Sequence, residues 1–455
     1  MKINELNLKN YRCFEALSEP ILFDSNLNVF AAINGAGKSS LLDAITVALS
    51  PYANYFEHGD SKSLDRRDAT LIKVAVEPHS PRASSRASSI EGSYPIQVEM
   101  VLTTTWQGFE NLRISRELRS ANGRTTTKEA KQLTDFAKRI EKAIKQDSQT
   151  PDLQAIPVIS YYGTGRLHAQ KKLMAKEVSS SIHNVKSRTM GYLNCLSAES
   201  TYKHFVEWMK KTTYAKLQES AESFADGYPS TYTDILTGVQ DAVNTVLNGL
   251  GWLGLHYSIS DEELMIHNSE AKYPLAILSD GLRSATAMVA DLAYRCATLN
   301  PFLGQHAARK TPGIVLIDEV EMHLHPAWQQ HILDRLSRAF PRIQFIVTTH
   351  SPQVLSTVQP ESIRTIQNQG MITAPTCKTY GAESKRILEE LMGVPSRPDF
   401  IKETIREFVN ITDNGDWSSE TYQKLRSKLD QYLGESDPVL IEADIKKNFQ
   451  QLEAE

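Results

Sequence analysis

Residues 32–40 read Ala-Ile-Asn-Gly-Ala-Gly-Lys-Ser-Ser, and the reading of this stretch decides the fold. It matches the pattern GxxxxGK[ST] except that Ala32 stands where the first glycine is expected. Gly35 and Gly37 carry no Cβ, so backbone N–H groups can turn inward around phosphate oxygens. Lys38 supplies a point charge for β- and γ-phosphates, and Ser39 a hydroxyl for Mg²⁺. Asn34, Ala36 and Ser40 complete the nucleotide-binding loop. An apolar run from Leu27 to Ile33 precedes it, and Leu41, Leu42, Ile45 and Leu49 follow at helical spacing, closed by Pro51. Strand, glycine turn and helix are the setting in which such a loop binds phosphate, because the helix directs its positive end at the anion.

A second stretch, Gly-Ile-Val-Leu-Ile-Asp-Glu at 313–319, carries the complementary chemistry. Its consecutive apolar residues are those of a parallel strand buried on both faces. Two carboxylates follow where that strand leaves the sheet, the position at which α/β folds hold ligands. Asp318 is expected to hold Mg²⁺ and Glu319 to polarise the attacking water. Adjacent strand residues point in opposite directions, so strand alternation is expected to divide those two tasks.

The order of the remaining motifs narrows the class. Leu278-Ser279-Asp280-Gly281 precedes the acidic strand, with 39 positions from Ser279 to Asp318. Beyond Glu319 come His323-Leu324-His325-Pro326, the strand-like Gln344 to Val347, and Thr348-Thr349-His350-Ser351. Walker A, an LSGG-like signature, Walker B with an adjoining Glu, and a strand-end His together resemble the ABC-type ATPase head. NYRCF ahead of GAGKS, with LSDG, IDEVEMHLHP and TTHSPQ, is similar to the RecF/SMC-like subgroup and its overcoming-lysogenization-defect relatives. The resemblance implies catalytic roles for Lys38, Glu319 and His350, Mg²⁺ on Ser39 and Asp318, and ATP as the nucleotide. It also implies a site shared between two heads, with Ser279 and Gly281 reaching the γ-phosphate held by a second copy, and Arg12 near the nucleotide. Asp280 replaces the first glycine of the signature, and Leu282 the glutamine that usually follows it.

The rest of the chain bounds the reading. It has 455 residues, 41% apolar and 23% charged, which is globular composition. Fifty basic and 54 acidic side chains leave a net charge of −4, so any contact with a polyanion must come from a local patch. Residues 111–145 hold ten Lys/Arg against four Asp/Glu, and residues 166–188 hold six against one. Both stretches are candidate DNA-contacting surfaces as well as ordinary solvated faces. His79 to Ser93 is Ser/Arg-rich and reads as a surface loop. The four cysteines form no CxxC pair, and neither a signal-peptide core nor a membrane-length apolar run is visible, so a cytoplasmic location is expected.

What is missing separates the relatives. Lys38 to Ser279 is 241 residues, without heptads, too few for a long SMC coiled coil. After His350 come 105 residues; of these, 381–455 carry 16 acidic and ten basic side chains in helical periodicity, with no DxD pair on a strand. A nuclease in this chain is therefore not expected. PVISYY at 157–162, the GYLNCL helical segment and YGAESKRILEELMGVPSR resemble the PtuA-type ATPases of Septu anti-phage systems and some retrons. That family implies a separate HNH endonuclease partner, PtuB-like, and a homodimer or higher oligomer with ATP sandwiched between heads. The expected fold is α/β, an ABC-type P-loop ATPase head with a helical insertion and a helical C-terminal region. Its expected parts are an N-terminal lobe (1–165), the insertion (166–252), a C-terminal lobe (253–370) and the tail (371–455). A RecF-like DNA-repair ATPase and a nucleotide-sensing scaffold with little turnover stay open as alternatives.

Overall fold

The computed structural model describes residues 1–32, 35–57, 59–75, 88–146, 154–166, 188–198, 202–222, 231–367 and 370–454. The chain folds as two compact units, Met1–Ser384 and Lys385–Glu455. The first runs past residue 370, where a boundary was expected. Buried Thr379 donates its hydroxyl to the Val358 carbonyl at 3.0 Å, and the Gly381 amide donates to the Ser356 carbonyl at 2.8 Å, which ties this segment down.

The first unit is built on a six-stranded sheet in the order Ile372–Thr373, Ile363–Ile366, Leu27–Ala31, Ile343–Thr349, Gly313–Ile317 and Val158–Tyr162. All neighbours are parallel except the first pair. Ile343–Thr349, Gly313–Ile317 and Val158–Tyr162 are buried at every position, as their mainly apolar character requires of strands covered on both faces. Ala31 lies opposite Thr349, while Ile317 lies opposite Val347 and Tyr162. The chain therefore leaves the sheet at Ala32, Asp318, Gly163 and His350 along one carboxyl edge.

An antiparallel sheet of Phe14–Ala16, Lys2–Tyr11, Ile96–Thr103 and Asn111–Leu118, with Ile21–Leu22 also on Lys2–Tyr11, forms the second layer. The Lys38–Ala53 helix packs against both sheets. The buried Gln344 side chain joins the layers, accepting the Ile3 amide at 2.7 Å and donating to the carbonyls of Ile3 and Asp24 at 2.8 Å.

Pro51 was expected to close the Lys38–Ala53 helix, but the helix continues through it. A proline has no N–H for the carbonyl four residues back, here that of Val47. Buried Arg116 takes over that carbonyl, with Nη1 at 3.5 Å.

The Tyr202–Glu222 and Thr231–Leu247 helices pack on the Asp280–Leu299 helix, which begins within the signature. Phe205, Met209, Val239, Val243 and Val246 are buried, as their spacing requires. In the Asp280–Leu299 helix the buried pair Arg295–Asp291 meets at 2.7 Å. The Tyr162 hydroxyl donates to Asp291 at 2.8 Å, and Arg295 donates to the carbonyls of Gly191 and Leu193 at 3.0 Å. Buried charges of this kind are tolerated because each is both paired and hydrogen-bonded.

Within residues 111–145, Glu117, Asp135 and Glu141 pair with Arg119, Lys138 and Lys145, while Arg113, Arg124, Lys128, Lys131, Arg139 and Lys142 are exposed. Of the stretch His79 to Ser93, read as a loop, residues 79–87 lie outside the described residues, as do 167–187 of the second basic stretch, while Ser88–Gly92 forms a strand antiparallel to Leu71–Ala75. No described helix is long and apolar enough to cross a membrane.

The second unit is helical, as its periodicity indicated. Asp399–Asp413, Glu420–Leu433 and Pro438–Ala454 surround Phe408, Tyr422, Leu429, Leu440 and Ala443. Arg426 fastens two of these helices by pairing with Asp430 and Asp444.

Candidate active site

The phosphate loop emerges from the Leu27–Ala31 strand. Gly35 and Gly37 adopt φ of 81° and 108°, a backbone region closed to most L-residues. A Cβ on Gly37 would also lie 2.2 Å from Cys13 Sγ, so the turn and the neighbouring chain both demand glycine. Asn34 lies outside the described residues, Ala36 is buried, and Ser39 and Ser40 open the helix.

Lys38 is only 6% exposed. Its Nζ donates to the Ala32 carbonyl at 3.1 Å and lies 3.4 Å from His350 Nδ1. Ala32, the one departure from the loop pattern, thus serves Lys38 through its backbone. Burial lowers the Lys38 pKa, while Glu319, Asp318 and Glu321 oppose that shift. Burial first and the Lys38 charge second also lower the His350 pKa, so its imidazole is neutral near neutral pH. Its Nδ1 faces Lys38, and its Nε2 lies 4.0 Å from Glu319 Oε1.

Ser39 Oγ donates to Asp318 Oδ2 at 2.6 Å. Thr348, one strand over, donates to Asp318 Oδ1 at 2.5 Å, and its hydroxyl oxygen accepts the Glu319 amide at 2.8 Å. The Asp318 amide in turn donates to the Tyr162 carbonyl at 2.8 Å. Strand alternation does not divide the acidic pair as expected. The strand ends at Ile317, and Glu319 enters the left-handed region at φ 48°. That turn, secured by Thr348, leaves Asp318 2% exposed while the Glu319 side chain is 38% exposed.

A hydroxyl and a carboxylate in contact are the hard-oxygen donors that Mg²⁺ accepts, so Ser39 and Asp318 fit the ion. Two further residues escaped the sequence reading. Thr348 is one; Glu321 is the other, accepting the His350 amide at 2.5 Å with a carboxyl that burial pushes above its usual pKa. The only signal was position, since both lie in motifs (TTHS and DEVE) whose neighbouring letters drew the attention.

Arg12 sits beside the loop at φ 50°, donating to Asp43 at 2.7 Å and Asp68 at 2.9 Å. The next residue, Cys13, approaches the Ala36 carbonyl at 3.6 Å. Ser279 is exposed at the start of the Asp280–Leu299 helix. Gly281 is buried, and a Cβ there would lie 2.1 Å from the His323 carbonyl. The hydrogen bonds that gather Lys38, Ser39, Asp318 and His350 do not extend to Ser279 or Gly281 among the described residues. His323 and His325 belong to no group of three or more metal-ligating side chains among the described residues.

A family model described as AAA ATPase domain matches residues 1–355. A relative from Escherichia coli, Retron Ec83 probable ATPase, is 26% identical over 503 residues, spanning 98% of this chain and 86% of that protein. The Septu protein PtuA of Bacillus mycoides (strain KBAB4) is 38% identical over 91 residues, 20% of this chain and 12% of that protein. Among solved structures, the SmcHead bound to the C-winged helix domain of ScpA aligns with a TM-score of 0.48 and 14% identity, covering 83% of this chain and 98% of that one.

Proposed function

The chain belongs to the AAA ATPase domain family, and on that premise we propose that it binds ATP at residues 34–40 and hydrolyses it between Lys38, Glu319 and His350. The observation that carries this reading is the 2.6 Å contact of Ser39 with Asp318, two residues 279 positions apart. Lys38 neutralises the β- and γ-phosphates from a buried position, where its charge is worth more than in water. Glu319, the more exposed carboxylate, polarises water for attack in line with the γ-phosphate. His350, neutral near neutral pH, places its imidazole beside Glu319, with Nε2 4.0 Å from Oε1. Magnesium held by Ser39 and Asp318 would supply positive charge to the phosphate oxygens.

Exposed Ser279 suits a role in trans, in which two heads close around ATP and the Ser279–Gly281 segment of one meets the γ-phosphate bound by the other. The likeness to a retron ATPase and to a Septu PtuA supports assignment to anti-phage defence. In that setting the ATPase cycle regulates a separate HNH nuclease. The test is turnover by the purified chain with and without that partner, beside Glu319→Gln. Loss of hydrolysis with ATP binding kept supports the catalytic roles, and wild-type turnover in the variant removes Glu319 from them.

A further inference from the structure

A polar cavity of about 650 Å³ opens at the far end of the Lys38–Ala53 helix, where Ser50, Pro51 and Asn54 line it. Ser50 lies twelve residues beyond Lys38, or roughly 18 Å along a helix, so this cavity is separate from the phosphate loop. Its charged lining consists of Lys62, Arg116 and Arg124, with no carboxylate among the described residues that form its wall.

Arg116 is the decisive group. It comes from the Asn111–Leu118 strand, is 4% exposed, and its Nε has no hydrogen-bond partner among the described residues. Its hydrogen bond to protein is the 3.5 Å reach of Nη1 to the Val47 carbonyl, the one that Pro51 vacates. Burial lowers its pKa, and no neighbouring carboxylate counters that shift. Three acids on the surrounding elements are engaged elsewhere. Asp43 holds Arg12 at 2.7 Å, with Lys62 at 4.0 Å; Glu117 holds Arg119 at 2.9 Å; Glu141 takes the Tyr55 hydroxyl at 2.8 Å and Lys145 at 3.0 Å. A guanidinium withdrawn from water without an anion is costly, and a ligand anion removes that cost.

The remaining wall suits the same chemistry. Ser63 brings a hydroxyl that can donate to an anion, while the Tyr55 and Thr125 hydroxyls shape the wall, each already donating, to Glu141 at 2.8 Å and to the Leu64 carbonyl at 3.0 Å. The volume lies within the range of small-molecule sites, about 300–1,000 Å³. We propose that this cavity is a second anion site, which binds the phosphate group of a small phosphorylated molecule between Arg116, Lys62 and Arg124.

Inorganic phosphate, titrated into the full-length protein and followed by ³¹P NMR, is the probe. Lys38→Ala, which disables the phosphate loop, should retain one saturable phosphate site. Arg116→Met should abolish that site, and Arg124→Glu at the exposed rim should weaken it by roughly tenfold or more. Thermal melts establish that each variant folds; should Arg116→Met fail to fold, Arg116→Lys with Arg124→Glu carries the test. Phosphate binding lost in Lys38→Ala, or unchanged in Arg124→Glu, overturns the proposal. Displacement of phosphate by a short single-stranded oligonucleotide overturns the small-molecule assignment in favour of a nucleic-acid backbone.

Discussion

Thr348 gives its hydroxyl proton to Asp318 at 2.5 Å and takes the Glu319 amide proton on the same oxygen at 2.8 Å. One side chain on the neighbouring strand therefore orients both members of the acidic pair. Thr348→Val keeps the shape and removes both bonds, leaving a buried carboxylate oxygen and an amide without their partner. ATP turnover should fall by roughly tenfold, and unfolding free energy by about 1–3 kcal/mol. Thr348→Ser should recover much of both. Steady-state hydrolysis and urea unfolding measure the two effects, and unchanged turnover in the valine variant would show that Asp318 and Glu319 hold their places without it.

Glu319→Gln retains the size and left-handed turn of the native residue while losing its negative charge. Hydrolysis should drop by roughly 10²–10⁴-fold. ATP should then hold two heads together for as long as it stays intact, so light scattering should show ATP-dependent doubling of mass. A strictly monomeric variant at saturating ATP would dismiss the head-to-head arrangement.

The His350 imidazole titrates below its ordinary value of 6.5, chiefly through burial. Because the unfolded chain takes up this proton first, the stability linked to neutral His350 is complete above pH 6.5 and is lost as pH falls through the window below it. His350→Gln cannot titrate, so its urea midpoint should decline less than that of the wild type between about pH 7 and about pH 5.5. Parallel declines would assign the acid sensitivity to other groups.

Arg295→Met should destabilise the first unit by about 3–5 kcal/mol, because it strands Asp291 in the interior. Adding Asp291→Asn to that variant should return part of the loss, a coupling read directly by a double-mutant cycle in chemical denaturation. Simple additivity of the two changes would mean that the pair is not energetically linked.

Much of this architecture was legible from local pattern. The apolar runs at 27–31, 158–162 and 313–317 became parallel strands of one sheet, with Ile343–Thr349 between the first and the last, and the glycines of the loop took the positive φ that their lack of Cβ allows. The errors arose where a distant residue overrides a local rule. Pro51 reads as a helix stop, yet Arg116 takes up the carbonyl it vacates. Strand alternation reads as the device that separates Asp318 from Glu319, yet a turn braced by Thr348 does so. Thr348 itself is an ordinary β-branched residue in a strand, and nothing in its own sequence context marks the partner it meets thirty positions away. The charge sum over 111–145 likewise conceals one arginine turned inward among others facing water.

Tyr162 is held at both ends: its carbonyl receives the Asp318 amide and its hydroxyl reaches Asp291 on the helix that Ser279 begins. In mechanical terms it is a tie-rod between the helix and the strand end. A tilt of that helix that carries Asp291 with it must either snap the phenol contact or drag the Val158–Tyr162 strand end, and Asp318 with it. Force applied at the signature of one head would thereby be felt at the same head's acidic pair, without any contact between Ser279 and its own phosphate loop.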